Sequence, residues 1–433
     1  MTRDAPAARV WLPPVSQWMR DAARPFWTIV ALAVGGAAAA LLNVVLARSL
    51  DPEHYGLVGN VQSVAMFALG FVTLGQADAV QRVLTPGQDP DSVPWGAIVN
   101  DVGFRTVLPV AVLVAVAAGL WYGWSTSVVL CALALLVGNG LAMMAGNAVR
   151  AAASPAVGQW IVQAGRIVSL AAVAPAASVL DGDLSTTHVL VIMAAAALVS
   201  AGLGLAAVHR PRHSYAIPDP LRRTLRREAR TFVGINASLA LLSYLDHLVV
   251  PAVLGTAAFG RYAAAWWLVG APLLLLQAGI GFSLLPHLRR AGDAQTARHA
   301  LVIQGSLLLA ASTLTAVAAG ALVAPFLDRL LGYDYVISGW TIAAIAICGW
   351  LRATYALPAS IVGAWGDQRD LARLNRMGWA AAGLAIPCTC LGAVYGGLTG
   401  VAVGVAIGLG ARMAAASVLA RTSLARRLAI PVT

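Results

Sequence analysis

Long apolar runs broken by short polar or charged stretches dominate this chain. The most prominent are Phe26 to Leu46, Val107 to Leu120, Val189 to Val208, Ala300 to Val323, and most of Gly378 to Val418. Each approaches the length a helix needs to cross ~30 Å of hydrocarbon. Only helices and closed barrels satisfy their own backbone hydrogen bonds in lipid. The pattern predicts twelve spans, at about 26–49, 56–76, 104–122, 126–146, 157–179, 187–208, 231–253, 259–285, 299–325, 336–356, 376–394 and 396–419. The fifth contains Gln159, Gln163 and Arg166, and only Tyr395-Gly396-Gly397 separates the last two.

Composition agrees. Of 433 residues, 59% are hydrophobic and 11% charged, and the mean hydropathy is +0.78. Soluble domains carry roughly 25% charged residues. The chain reads as an all-α, multi-pass membrane protein. All 29 basic residues are arginine, and the net charge is +11. Basic residues collect on cytoplasmic loops, which explains the excess without a nucleic-acid partner. The N-terminus holds Arg3, Arg9, Arg20 and Arg24; the segment after the sixth span holds Arg210, Arg212, Arg222, Arg223, Arg226, Arg227 and Arg230. Further arginines follow the eighth, tenth and twelfth spans, whereas the intervening loops carry acids such as Asp51, Glu53 and Asp334. This alternation puts both termini in the cytoplasm, in a cell inner membrane.

The basic segment divides the spans six and six. The expected organisation is a cytoplasmic segment 1–25, a six-helix bundle 26–208, a basic linker 209–230, a second six-helix bundle 231–419 and a cytoplasmic tail 420–433. The halves repeat at an offset of 204: Val45 matches Val249, Leu50 Leu254, Tyr55 Phe259, Gly56 Gly260, and Gly75 Gly279. Six helices per half make the repeats parallel, related by an axis along the membrane normal and enclosing a central cavity.

Within the seventh span, Asp246 and His247 interrupt the run Leu239 to Val250. An Asp near a helix centre costs about 2.5–3.5 kcal/mol on insertion scales, so it requires a partner or a polar cavity. His titrates near neutral pH, which suits ion coupling. Asn43 occupies the position matching His247 on the lead helix of the first half. Asp246, His247 and Asn43 are therefore candidate ion-coupling residues. A structural pairing of Asp246 with Arg261 is the alternative.

Several motifs carry a family resemblance. Leu46-Ala-Arg-Ser-Leu-Asp-Pro-Glu-His-Tyr-Gly-Leu resembles the first helix pair of polysaccharide-type flippases. The second half repeats it in Tyr244-Leu-Asp-His-Leu-Val-Val, Ala258-Phe-Gly-Arg-Tyr-Ala-Ala-Ala and Leu285-Pro-His-Leu, and Leu331-Gly-Tyr-Asp-Tyr resembles a later turn. These flippases belong to the multidrug/oligosaccharidyl-lipid/polysaccharide exporter superfamily. The resemblance implies a V-shaped bundle that moves lipid-linked sugars to the outer leaflet, driven by an ion gradient or the membrane potential. It also implies roles for cavity residues. Arg166, Arg82, Arg48, Arg261 and Arg352 are candidates for a phosphate or pyrophosphate. Asn60, Tyr262 and Trp266 are candidates for sugar. Alternatives for these residues are arginine snorkelling to headgroups, pairing of Arg48 with Asp51, and an interfacial aromatic belt.

No catalytic constellation is present: there is no nucleophile–base arrangement, no P-loop and no expected cofactor. The seven histidines and four cysteines have no metal spacing. Beyond the glycan substrate and membrane lipids, a polysaccharide polymerase or glycosyltransferase is a candidate partner. Two other readings are a small-molecule cation antiporter of the same superfamily and a non-transporting scaffold of a synthase complex.

Overall fold

The computed structural model describes residues 15–83, 98–99, 103–152, 154–180, 184–208, 217, 219–290 and 294–429, with some helical side chains inside these ranges excepted. The described residues are helical almost throughout. In order they form α1 (Val15–Ser49), α2 (Pro52–Val72), α3 (Gln76–Val83), α4 (Leu108–Tyr122), α5 (Thr126–Ala152), α6 (Pro155–Val179) and α7 (Thr186–Val208). Then come α8 (Asp219–Val253), α9 (Thr256–Arg290), α10 (Ala294–Leu331), α11 (Gly339–Trp365) and α12 (Gln368–Ala429). A π-helical turn, Gly103–Val107, leads into α4. Eleven of these helices are long and apolar enough to cross a membrane. The last, α12, contains a break: Gly397 has φ 56° and ψ −141°, outside helical geometry, at the Tyr395-Gly-Gly site expected to separate two spans. With the two arms of this helix taken separately, the described residues hold twelve apolar segments.

Local chemistry sets the helix ends. The Asp51 carboxylate accepts from the backbone N–H groups of Glu53 and His54 at 2.9 Å each, and Pro52 opens α2, a position where its missing N–H costs nothing. Ser338 caps α11 through the Thr341 N–H at 3.2 Å. Gly123, at φ 66°, closes α4 in the left-handed region that favours glycine.

The burial pattern is that of a lipid-embedded bundle. Leu113, Leu314 and Val317 are at least 64% exposed on helix faces, a distribution that water would penalise and hydrocarbon does not. In the first half, α5 packs on α7, and α6 packs on α1, α5 and α7. In the second, α11 packs on α9 and α12, and α12 on α8. The halves meet where α2 lies against both α8 and α9, with α1 on α9 and α3 on α8.

At the start of α2 and α9 this seam is at its tightest. A Cβ on Gly56 would lie 2.0 Å from the Thr256 carbonyl oxygen, and one on Gly260 would lie 1.9 Å from that of Pro52. Only hydrogen fits at either position. Gly56 and Gly260 are equivalent in the repeat, so the two helices cross at their matching residues. Tyr55 and Phe259, also equivalent, are both buried beside the crossing. The Tyr335 hydroxyl, on a short 3-10 turn (Tyr333–Tyr335), donates to the Leu50 carbonyl at 2.8 Å, adding a tie from the second half to the first.

Candidate functional site

The site forms around α8. Consecutive helical residues point about 100° apart, so both Asp246 and His247 can be buried only if α8 is covered on two sides, and it is. Asp246 turns toward α9 and α11: the Tyr262 hydroxyl donates to its Oδ2 at 2.7 Å, and Arg352 Nη2 lies 3.5 Å from Oδ1. The backbone N–H of His247 adds a bond to Oδ1 at 3.1 Å. His247 turns toward the first half, where its Nδ1 meets Ser63 Oγ of α2 at 2.8 Å. Edges of Tyr244, Phe259, Tyr262 and Trp266 surround the imidazole, with Trp266 nearest at 4.8 Å between ring centroids. The Arg352 guanidinium lies 5.6 Å from the Trp266 ring centroid, a cation–π contact that steadies the charge in a dry setting.

The alternative pairing of Asp246 with Arg261 does not form. Tyr262 occupies the inward face of α9, and Arg261, one residue earlier, falls on an exposed face. Arg352 takes its place. That also corrects the snorkelling reading of Arg352, whose side chain is only 2% exposed. The interfacial-belt reading of Tyr262 and Trp266 is corrected too, since both are buried in the seam. Arg48 does not pair with Asp51; its Nε donates to the Leu330 carbonyl at 2.9 Å, while Asp51 holds His54.

Other candidates lie around this centre. Arg166 donates to Gln163 Oε1 at 3.0 Å, and Tyr244 lies near Arg166, Arg352 and Asp246. Asn60, three residues before Ser63 on α2, is buried with neither side-chain nitrogen nor oxygen partnered. Asn43 is not part of the cluster around Asp246: its amide donates to Ala39 and accepts from the Tyr55 hydroxyl at 2.9 Å. The side chain of Arg82 lies outside those described.

A further buried arginine belongs to this region. Arg412, in the second arm of α12, is 2% exposed. Its Nη1 is 3.3 Å from Ser238 Oγ on α8, and its guanidinium sits 5.0 Å from the Tyr355 ring centroid. An arginine inside the apolar run Gly396 to Val418 was the available signal. Arg352 and Arg412 line one narrow crevice together with Leu239, Ser243, Gln277, Tyr355 and Leu409. Among the described residues, no group of three His, Cys, Asp or Glu side chains is placed to hold a metal ion.

Solved structures share this fold over nearly the whole chain. The MATE multidrug transporter DinF-BH matches with a TM-score of 0.66 at 12% identity, over 98% of this chain and 99% of that one. The lipid II flippase MurJ in its inward closed conformation matches at 0.64 and 11% identity, over 93% and 89%. Vibrio cholerae VcmN in its bent form matches at 0.62 and 14%, over 95% and 98%. No family model matches the chain, and no curated protein matches it. At these identities the likeness is one of fold.

Proposed function

We propose that the chain is an alternating-access transporter that carries a polyprenyl-(pyro)phosphate-linked oligosaccharide from the cytoplasmic to the outer leaflet. The observation that carries this reading is the sign of the buried charge. Asp246 is already matched by Arg352, and Arg412 adds a second buried guanidinium. No acid lines the crevice that the two arginines share. Surplus buried positive charge in low dielectric disfavours organic cations and favours phosphate. Arg166, held by Gln163, adds a further guanidinium in the first half.

A second reading, antiport of cationic small molecules, is supported by the fold shared with multidrug transporters. It requires Asp246 to become available to the cargo, which means displacing Arg352. The two readings separate in cells: Arg166→Ala lowers export of lipid-linked glycan while the amount of protein in the membrane stays normal. Undiminished export by a normally expressed variant removes Arg166 from the account.

A further inference from the structure

We propose that the foot of the α12 hairpin is a binding surface for the headgroup of an anionic phospholipid. This surface is independent of the cargo and lies on a different face of the molecule.

Gly397 divides α12 into two arms that return to the same end of the bundle. The arms pack on each other through glycines: Gly392 meets Gly400, and a Cβ on Gly404 would lie 2.5 Å from Thr389 Cα. Their outer faces are exposed. On the first arm, exposed Leu391, Leu384 and Ala380 recur at helical spacing. The same stripe continues into Arg376, Arg373 and Arg369, all exposed. On the second arm, exposed Val403, Ile407 and Val418 lead in the same way to exposed Arg421. In each arm the face that meets hydrocarbon ends in guanidinium groups.

Depth agrees. From Gly396 back to Arg376 the helix rises about 30 Å, the thickness of the hydrocarbon core. Arg376 therefore sits at its edge. Arg373 and Arg369 lie roughly 4 and 10 Å farther out, across the headgroup layer. Ser423 of the second arm donates to Asp370 of the first at 3.3 Å, which sets Arg421 at about the depth of Arg373. Trp379, one turn inside Arg376, is 45% exposed, as suits an aromatic at the membrane interface.

The nearby acids are already occupied. Arg426 binds Asp370, which is 1% exposed, and its Nη1 donates to Asp367 at 3.3 Å. Arg373 stays 4.0 Å from Asp370. Among the described residues, Arg369, Arg376 and Arg421 have no ion pair. Topology alone requires arginines at this end of the bundle, but not on its lipid-facing stripes. The start of α8 shows the difference. Arg223 and Arg226 are exposed there, yet no residue from Thr231 to Pro251 is exposed, so no lipid face leads to them.

Guanidinium forks match phosphate oxygens. A lipid of net negative charge meets this positive foot, whereas the choline of a zwitterionic lipid is repelled. Free phosphate lacks the chains that the apolar stripes hold.

Native mass spectrometry of the full-length protein in detergent, titrated with phosphatidylglycerol or phosphatidylcholine of equal chain length, measures the affinity for each. Wild type binds phosphatidylglycerol at least about fivefold tighter, the effect of one arginine near a headgroup. Arg373→Gln/Arg376→Gln lowers that ratio about fivefold or more. Arg421→Gln, on the other arm, lowers it by a smaller factor. Arg223→Gln/Arg226→Gln removes the same charge from α8 and leaves the ratio unchanged. Neither inorganic phosphate nor a glutamate-rich peptide in excess displaces phosphatidylglycerol.

Equal affinity of wild type for the two lipids overturns the surface. So does a ratio that falls equally in the α8 and α12 variants, which is an effect of net charge alone. Displacement by inorganic phosphate assigns the foot to free phosphate, and displacement by the peptide assigns it to an acidic protein; either removes the lipid. If Arg373→Gln/Arg376→Gln does not fold, an unchanged ratio in Arg421→Gln overturns the proposal instead.

Discussion

Asp246 and Arg352 face each other across α8 and α11 at 3.5 Å, both essentially closed to solvent, although 106 positions separate them in the chain. The Tyr262 hydroxyl completes the carboxylate's shell at 2.7 Å. This arrangement ties the two helices together. Breaking a buried ion pair by removing one partner leaves the other uncompensated, at about 3–5 kcal/mol.

Asp246→Asn and Arg352→Gln, made singly, therefore each destabilise the protein by a few kcal/mol. The double variant recovers part of the loss, because neither charge is then left alone. Thermal unfolding of the four proteins in detergent forms a double-mutant cycle. Additive losses would show that the two groups do not interact.

Ser63 and His247 provide a hydrogen bond between the halves at 2.8 Å. Ser63→Ala leaves the buried imidazole Nδ1 without its partner, a loss of about 1–3 kcal/mol. If His247 and Asp246 couple transport to an ion, Ser63→Ala and Asp246→Asn both alter the pH or ion dependence of transport. Profiles identical to wild type in both would assign these residues to structure alone.

Gly56 and Gly260 allow the backbones of α2 and α9 to touch. Gly56→Val or Gly260→Val forces them apart, since the intruding atoms meet backbone that cannot rotate away. The expected result is a loss of about 1–3 kcal/mol and a wider separation of the helix starts. Spin labels near the starts of α2 and α9 measure it; an unchanged distance distribution would contradict the crossing.

Asp51 lies outside the membrane spans and offers a pH test. Chiefly the His54 backbone N–H, helped by the His54 ring and the Glu53 N–H, holds its carboxyl below the ordinary value of 3.8. A lowered native pKa adds stability that is fully present above the unfolded carboxyl's value. That contribution disappears as pH falls through the folded one. Asp51→Ala therefore unfolds more easily at pH 7, by ~1 kcal/mol for a lost cap. The gap from wild type narrows below about pH 4. Asp51→Asn keeps the cap without the titration. A gap independent of pH down to 3 would contradict this.

The fold was largely legible in the sequence, because lipid imposes one strong rule on each span. Apolar length marked the helices, and Tyr395-Gly-Gly marked the break at Gly397 inside α12. The offset of 204 places Gly56 and Gly260 in register. The site was legible only in part. Asp246 and His247 announced themselves as polar residues in apolar surroundings. Their partners did not, since pairing depends on which face of a neighbouring helix turns inward. Arg261 and Tyr262 are adjacent, and only rotation of α9 about its axis decides that Tyr262 meets Asp246 while Arg261 is exposed. Arg352 reads as a snorkelling residue because sequence position gives depth without direction. Arg412 was lost among the terminal arginines that the positive-inside rule already explained.

That the buried positive charge selects an anionic, lipid-linked cargo is the proposal. Its most direct test is transport by the purified protein in proteoliposomes, comparing a fluorescent polyprenyl-pyrophosphate-linked glycan with a cationic dye. Wild type is expected to move the glycan lipid between leaflets. That movement falls about tenfold or more in Arg352→Gln, as loss of charge-assisted phosphate contacts implies, and wild type moves no dye. Dye transport that depends on Asp246, with the glycan lipid left in place, would contradict it.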